Sequence, residues 1–485
     1  MTSRRFPHFS YVVIFLTLLS FDLIRSGLIY GAGLYQYWPD SPQYWKYGET
    51  VARGDLFLLH ENMSYRTPGY LWFLGALQYL CGTYSLAVII AVQHLLNVLT
   101  SLITARMVYL LSRSVFLATI GYVLLIMLSS RALFANLVMT ESVAIFLGTC
   151  VLYISLCFAQ SRKPVHRWGW FIALSIISGL LILVRPAGVI YVLAGGLSLG
   201  LGNANDNALT EDGINPHQLR WRSRMMYGVL YIVVVGIILL PWLLRNRTIT
   251  GQLTLCTFSG RELWLTTYAN WPGAGLSIPE DKAGLKIREA LPSNWQDQDW
   301  RNNWTTSGML KEHVSLDHEI DALMLASATQ SRAEHPLHWS RCFAARTLSF
   351  WYCWNWPLDL MSDAPGGEKQ WLSQYRWQSP AWAKSFNRVI QSSVEFHRRP
   401  ALIFCGLSLL GMICLIAQKQ LRKWGIVLGC IMLGMNIMTA YFEIPLYRYR
   451  MILEPVMVMC LTLPWSIQTR QAAPINEHLK QVKVS

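Results

Sequence analysis

Apolar blocks recur along this chain, separated by short polar connections that are mostly basic. About 20 apolar residues cross a ~30 Å hydrocarbon core as a helix, so blocks approaching that length predict membrane-spanning helices. They lie near 9–30, 85–111, 115–130, 137–159, 168–186, 187–202, 225–244, 400–417, 424–441 and 450–467. The first lacks a small-residue cleavage site, and Asp22 and Arg25 stand within it at an i, i+3 spacing that lets them pair. Both features argue for a retained helix and against a signal peptide. Gln93, His94 and Asn97 share the second block and are expected to hydrogen-bond between helices. No internal repeat, heptad array or low-complexity tract interrupts the pattern.

Composition agrees with this reading. Of the 485 residues, 53% are hydrophobic and 14% charged, where a soluble domain carries roughly a quarter charged. The 41 Lys+Arg against 27 Asp+Glu leave a net charge of +14, which in a soluble chain would suggest nucleic acid. In a polytopic membrane protein the same excess belongs to cytoplasmic loops, so nucleic acid is not an expected partner.

The basic residues also orient the helices. Arg4 and Arg5 precede the first block, and Arg106 and Arg113 follow the second. Arg162, Lys163 and Arg167 follow the fourth, Arg220, Arg222 and Arg224 precede the seventh, and Lys419, Arg422 and Lys423 join the eighth and ninth. Arg470, Lys480 and Lys483 occupy the tail. Placing all of these in the cytoplasm predicts ten alternating spans with both termini inside. The segment 68–82, PGYLWFLGALQYLCG, is then expected to be a re-entrant or interfacial helix on the outer face; the alternative is an eleventh crossing, which inverts every later loop unless another block fails to cross.

The expected organisation is therefore a cytoplasmic N-terminus and first span (1–30), a first outer loop (31–84), transmembrane helices (85–244), a large outer region (245–399), C-terminal transmembrane helices (400–467) and a cytoplasmic tail (468–485). The 245–399 region holds 12 of the 21 Trp, a density that favours helices lying in the headgroup layer. Most of the ten cysteines fall in or beside spans, as small apolar residues do. Cys256, Cys342 and Cys353 lie outside, where one disulfide at most is available and the pair is left open.

Charges at the outer ends of spans have no role in orientation. Arg66 precedes the 68–82 segment, Arg185 stands in LVRPAG, Arg245 and Arg247 in PWLLRNRTITG, and Arg448 and Arg450 in IPLYRYRMILEP. Four separate stretches thus bring guanidinium groups to one membrane face, which suits a lipid-linked phosphate or pyrophosphate. Snorkelling to the headgroups accounts for any one of them but less well for the set. Two carboxylates map to the same face: Asp40 in YWPDSPQYWKYG and Glu141 in LVMTES. Helix capping is the alternative role for Asp40, and a favourable helix dipole for Glu141. His335 and His338 lack a third clear metal ligand. The sequons at Asn62, Asn246 and Asn303 matter only in a eukaryotic lumen.

Taken in order, the outer Asp, RTPGYLWF, TES, LVRPAG, PWLLRNRTITG and RYRMILEP resemble the integral-membrane glycosyltransferases of the GT-C fold. The likeness is to bacterial relatives of protein O-mannosyltransferases and lipid A aminoarabinose transferases, and it runs from about residue 38 to 456. It implies an all-α GT-C-type bundle of about 10–11 transmembrane helices with an outer catalytic loop. It also implies a polyprenyl-phosphate sugar donor used on the outer face of a bacterial cytoplasmic membrane. The acceptor would be a glycolipid, a polysaccharide or a protein. By this resemblance Asp40 is the first-loop catalytic acidic residue, Glu141 the second acidic position, and Arg66 the basic residue before a Pro. Many relatives carry Asp-Glu where this chain has Asp40-Ser41, so no paired carboxylate stands in that loop, and a divalent metal ion is neither required nor excluded.

The residues suggest the same chemistry. Asp40 is the expected general base, Glu141 orients the acceptor or Asp40, and Arg185, Arg245, Arg448 and Arg450 face the phosphate. The rival readings are a lipid-linked glycan transporter and an O-antigen-type ligase or polymerase. A transporter calls for ionisable groups at mid-membrane and for broken helices in matching halves, neither of which the pattern shows.

Overall fold

A computed structural model describes residues 6–31, 40–61, 63–128, 130–161, 163–201, 216–268, 282–290, 318–352, 401–442 and 447–466. Every regular element among them is a helix. In chain order these are α1 (Phe6–Gly31), α2 (Ser41–Ala52), α3 (Pro68–Cys81), α4 (Ser85–Ser112), α5 (Val115–Met127), α6 (Ser130–Phe134), α7 (Glu141–Gln160), α8 (Pro164–Val184) and α9 (Val189–Gly200). There follow α10 (Pro216–Thr250), α11 (Ser259–Tyr268), α12 (Lys282–Ala290), α13 (His318–Glu334), α14 (Pro336–Tyr352), α15 (Ala401–Ala417), α16 (Arg422–Phe442), α17 (Tyr447–Met451) and α18 (Glu454–Thr462).

The chain is a multi-pass membrane protein. Among the described residues six runs of helix are long and apolar enough to cross a bilayer, and Val115–Met127, Pro186–Gly200 and Leu402–Ala417 are shorter apolar helices. The side-chain distribution is inverted relative to a soluble protein. Ile232, Val233, Ile237 and Leu240 of α10 and Leu402, Ile403, Leu407 and Ile413 of α15 are exposed, whereas Gln93, His94, Asn97, Thr100, Ser101 and Thr104 of α4 are buried. Lipid accommodates the first set, and the second finds its hydrogen bonds inside the bundle.

The 68–82 segment is a helix of its own. Gly82 takes φ +53°, breaking α3 from the 28-residue α4, against which α3 packs. At 14 residues α3 is about 21 Å long, short of the hydrocarbon thickness. It sits unusually close to α8: a Cβ on Gly69 would come within 2.7 Å of the backbone at Leu183 and Val184. Glycine at this point lets the RTPG turn lie against the end of α8 that carries Arg185.

Two elements differ from the sequence pattern. The 137–159 block becomes helical only at Glu141, and Gln93 of α4 takes carbonyls of the stretch just before it. Gln93 donates to Ala135 and Leu137 O at 2.8 Å each, and Asn97 donates to Arg131 O at 2.8 Å. The interhelical role expected for Gln93, His94 and Asn97 is thus realised on α6 and the loop after it, His94 pairing with Asn136. The 450–467 block is divided between α17 and α18. Pro455, in the first turn of α18, has no N–H with which to continue the preceding helix, and the Tyr191 hydroxyl takes up Ile452 O at 2.8 Å. Near the start of the bundle, Asp22 and Arg25 form the expected pair at 2.8 Å.

Candidate functional site

The elements converge at the end of the bundle where α1 and α8 finish and α7 begins. Asp40 stands one residue before α2, in the N-cap position, yet its side chain makes no cap hydrogen bond. It turns instead to the 63–67 loop, where Arg66 Nη2 donates to Asp40 Oδ1 at 2.7 Å. Arg66 Nη1 donates to the Tyr44 hydroxyl at 3.1 Å, and its guanidinium lies 4.6 Å from the centre of the Tyr44 ring. Asp40 is buried, and capping therefore does not account for its placement.

The second carboxylate reaches the same place from α7. Glu141 is fully buried in the first helical turn, and Arg185 Nη1 donates to its Oε1 at 2.9 Å and to Thr140 Oγ1 at 3.1 Å. Arg448, from α17, joins the two halves: its Nη1 lies 3.6 Å from Asp40 Oδ2 and 4.0 Å from Glu141 Oε1. The guanidinium groups of Arg185 and Arg448 approach the one ring of Tyr449, at 5.1 and 4.8 Å from its centre. Asp40, Glu141, Arg66, Arg185 and Arg448 thus form one cluster of three cations and two anions.

Its electrostatics favour permanent cations. Burial pulls the pKa of Arg66 down, but Tyr44, Asp40 and Tyr65 more than offset that and the net shift is upward. Arg185 follows the same course, burial being outweighed by Glu141 and Tyr449 while Arg448 opposes. Burial pushes the Tyr44 phenol up, against the pull of Arg66, so it stays protonated.

The remaining sequence candidates go elsewhere. Arg245 spends its guanidinium on the backbone of the 53–67 loop, donating to the carbonyls of Phe57, Leu58, Glu61 and Met63. Leu58 has φ +50°, a left-handed conformation costly for a branched residue, and Arg245 holds the carbonyl there. Arg245→Gln is accordingly expected to destabilise the fold by about 3 kcal/mol, since each abandoned buried acceptor costs about 1–3 kcal/mol. Chemical denaturation of the purified variant, read alongside wild type, measures this. Arg450 donates to the carbonyls of Phe350 and Trp351 at the end of α14. Asn246 is fully buried and donates to Thr254 and Leu255 O, which leaves no acceptor for a glycan at that sequon. Asn62, Asn303 and Cys353 lie outside the described residues. Cys256 and Cys342 are not bridged to each other. Among the described residues no three His, Cys, Asp or Glu side chains gather as a metal site.

One residue escaped the sequence pattern. Arg261, at the start of α11, is buried, lies 3.6 Å from the centre of the Phe258 ring and pairs with Glu262. Arg66 approaches the same ring at 5.7 Å, so Arg261 flanks the cluster. The Ser64 and Thr257 hydroxyls, 2.7 Å apart, fasten the two loops together. Arg261 lies inside the 245–399 outer region, well past the end of the seventh apolar block, so it does not stand out as a charge at the end of a span. Hydropathy therefore gave no signal for it.

No protein-family model and no curated protein matches this chain. Among solved structures it is similar to ArnT from Cupriavidus metallidurans, both in the apo state and bound to undecaprenyl phosphate. In each comparison the identity is 14%, the match covers 93% of this chain and 78% of the other, and the TM-score is 0.37.

Proposed function

We propose that this protein is a glycosyltransferase that moves a sugar from a polyprenyl-phosphate donor to an acceptor hydroxyl or phosphate at the outer face of a bacterial cytoplasmic membrane, with inversion at the anomeric carbon. The observation that carries the reading is the single Arg448 nitrogen facing both Asp40 and Glu141, with Arg66 and Arg185 each bound to one of those carboxylates. The order of sequence blocks that resembles GT-C enzymes supports it independently, since the residues of this cluster come from those blocks.

The arrangement divides the reaction between two kinds of group. A donor phosphate entering beside Arg66, Arg185 and Arg448 competes with the carboxylates for the same N–H donors, and the excess of positive charge favours its entry. As the phosphate takes up those donors, Asp40 becomes available to accept a proton from the acceptor. The acceptor oxygen then bonds to the anomeric carbon while the bond from that carbon to the phosphate oxygen breaks. The proton passes to Asp40, and the electron pair leaves with the polyprenyl phosphate. Charge gathers on the departing phosphate, where prearranged guanidinium groups stabilise it better than water. Attack opposite the leaving phosphate gives inversion. Glu141, held by Arg185, orients Arg448 and the acceptor.

The test is turnover of radiolabelled polyprenyl-phosphate hexose by the purified protein, supplied with bacterial membranes as the source of acceptor. Release of polyprenyl phosphate with label moved to an acceptor is expected. A donor that stays intact while crossing the bilayer of a proteoliposome would instead establish a transporter.

A further inference from the structure

A second group of arginines lies apart from the carboxylates. Trp339, Cys342, Arg346 and Phe350 stand along α14 at helical spacing, Trp339 half-buried and the other three buried, which sets a cation among apolar residues. Arg346 is 0% exposed, and none of its three guanidinium nitrogens has a hydrogen-bond partner. No carboxylate among the described residues forms an ion pair with it. Its electrostatic neighbours are Cys342 and a second cation, Arg332 of α13. Burial, partly offset by Cys342 and reinforced by Arg332, brings the pKa of Arg346 down to about 10, which leaves it charged at neutral pH.

Arg332 is only partly satisfied. Its Nε donates to Thr267 Oγ1 at 2.8 Å and its Nη2 to Thr266 Oγ1 at 2.7 Å, but its Nη1 is buried without a partner. The indole N–H of Trp339, over which Arg332 stacks at 4.9 Å, is likewise buried and unpartnered. Two buried cations that repel each other, with a set of N–H donors left over, are costly unless an anion joins them. Trp339 packs on Tyr441 near the end of α16, opposite the end that begins with Arg422 and Lys423. The end of a helix long enough to cross a bilayer lies near the headgroup layer, where a lipid carries its phosphate.

We propose that Arg346, Arg332 and the Trp339 indole form a binding site for a phosphate group, carried by a lipid headgroup or free in solution. Guanidinium forks suit phosphate oxygens, and the indole adds a neutral donor. The Thr266 and Thr267 hydroxyls hold Arg332 in place while its Nη1 stays available. The site stands whether or not the protein transfers a sugar.

The full chain in neutral detergent provides the test. Inorganic phosphate, titrated against chloride at constant ionic strength, is expected to raise the thermal unfolding midpoint in a saturable way. In Arg346→Gln and in Arg332→Gln the apparent affinity is expected to fall about ten- to a hundredfold. Arg346→Lys, which keeps the charge, is expected to fall less. Native mass spectrometry from nanodiscs with and without phosphatidylglycerol separates the sources. Retained phosphatidylglycerol that Arg346→Gln loses assigns the site to a headgroup, and a response to inorganic phosphate alone assigns it to a free phosphate. Arg346→Met guards against a fold-wide effect, because removing an unpaired buried cation is expected to leave the phosphate-free protein at least as stable as wild type. The proposal is overturned if folded wild type responds to neither ligand, or if wild type and Arg346→Gln respond alike.

Discussion

Asp40→Asn is expected to lower donor turnover by about 10²- to 10⁴-fold, the range a positioned general base contributes, while donor binding is retained. Asparagine keeps the size of the side chain and its carbonyl oxygen, so Arg66 Nη2 can still donate where it now meets Asp40 Oδ1 at 2.7 Å. What is lost is the ability to accept the acceptor's proton. Because the variant also removes a negative charge beside Arg66 and Arg448, the phosphate meets less competition for those donors. The donor dissociation constant is expected to stay level or fall. Single-turnover release of polyprenyl phosphate, measured with equilibrium binding of the same donor, separates the two effects. Equal turnover by wild type and Asp40→Asn would remove Asp40 from the chemistry.

Arg448→Gln is expected to lower turnover by roughly 10²- to 10³-fold, comparable with loss of one prearranged donor to a developing oxyanion. The side chain has a second task that glutamine cannot perform. It places one positive charge near both Asp40 and Glu141, 3.6 and 4.0 Å from the nearest oxygen of each. With that cation gone, the position of both carboxylates relative to the donor loosens, so the acceptor is expected to be held less well. Arg448→Lys restores a charge but not the planar fork, and partial recovery is expected at most. Single-turnover rates of the three proteins, measured with equilibrium binding of the donor, check both statements. If Arg448→Gln weakens donor binding and leaves the single-turnover rate of bound donor unchanged, Arg448 contributes to donor binding alone.

Much of the cluster was visible along the chain because exceptions to a local rule are themselves local. Arg66, Arg185 and Arg448 stood out as basic residues at the wrong end of their spans, and Asp40 and Glu141 as acids at that same end. Arg245 met the same criterion and yet holds four backbone carbonyls of a neighbouring loop. Nothing near Arg245 in sequence distinguishes it, since the loop it serves lies more than 180 residues earlier. Arg261 is the converse case, brought beside Arg66 by the pairing of Ser64 with Thr257, 193 positions apart. The late start of α7 has a similar origin. Its first apolar residues suit a helix, but the buried Gln93 takes the carbonyls of Ala135 and Leu137 just before it. The break before α18 was more legible, since Pro455 marks it directly.

By itself the sequence determined that this chain lives in a membrane, where most of its long apolar helices lie and in which stretches its unusual charges stand. Hydropathy and the cost of placing a charge in lipid are summed over neighbouring residues, and such sums can be read from a string. Which arginines meet a carboxylate, which brace a loop and which are left to find an anion was decided only by tertiary packing. A hydrogen bond depends on a few tenths of an ångström between groups far apart in the chain, and no local sum contains that distance.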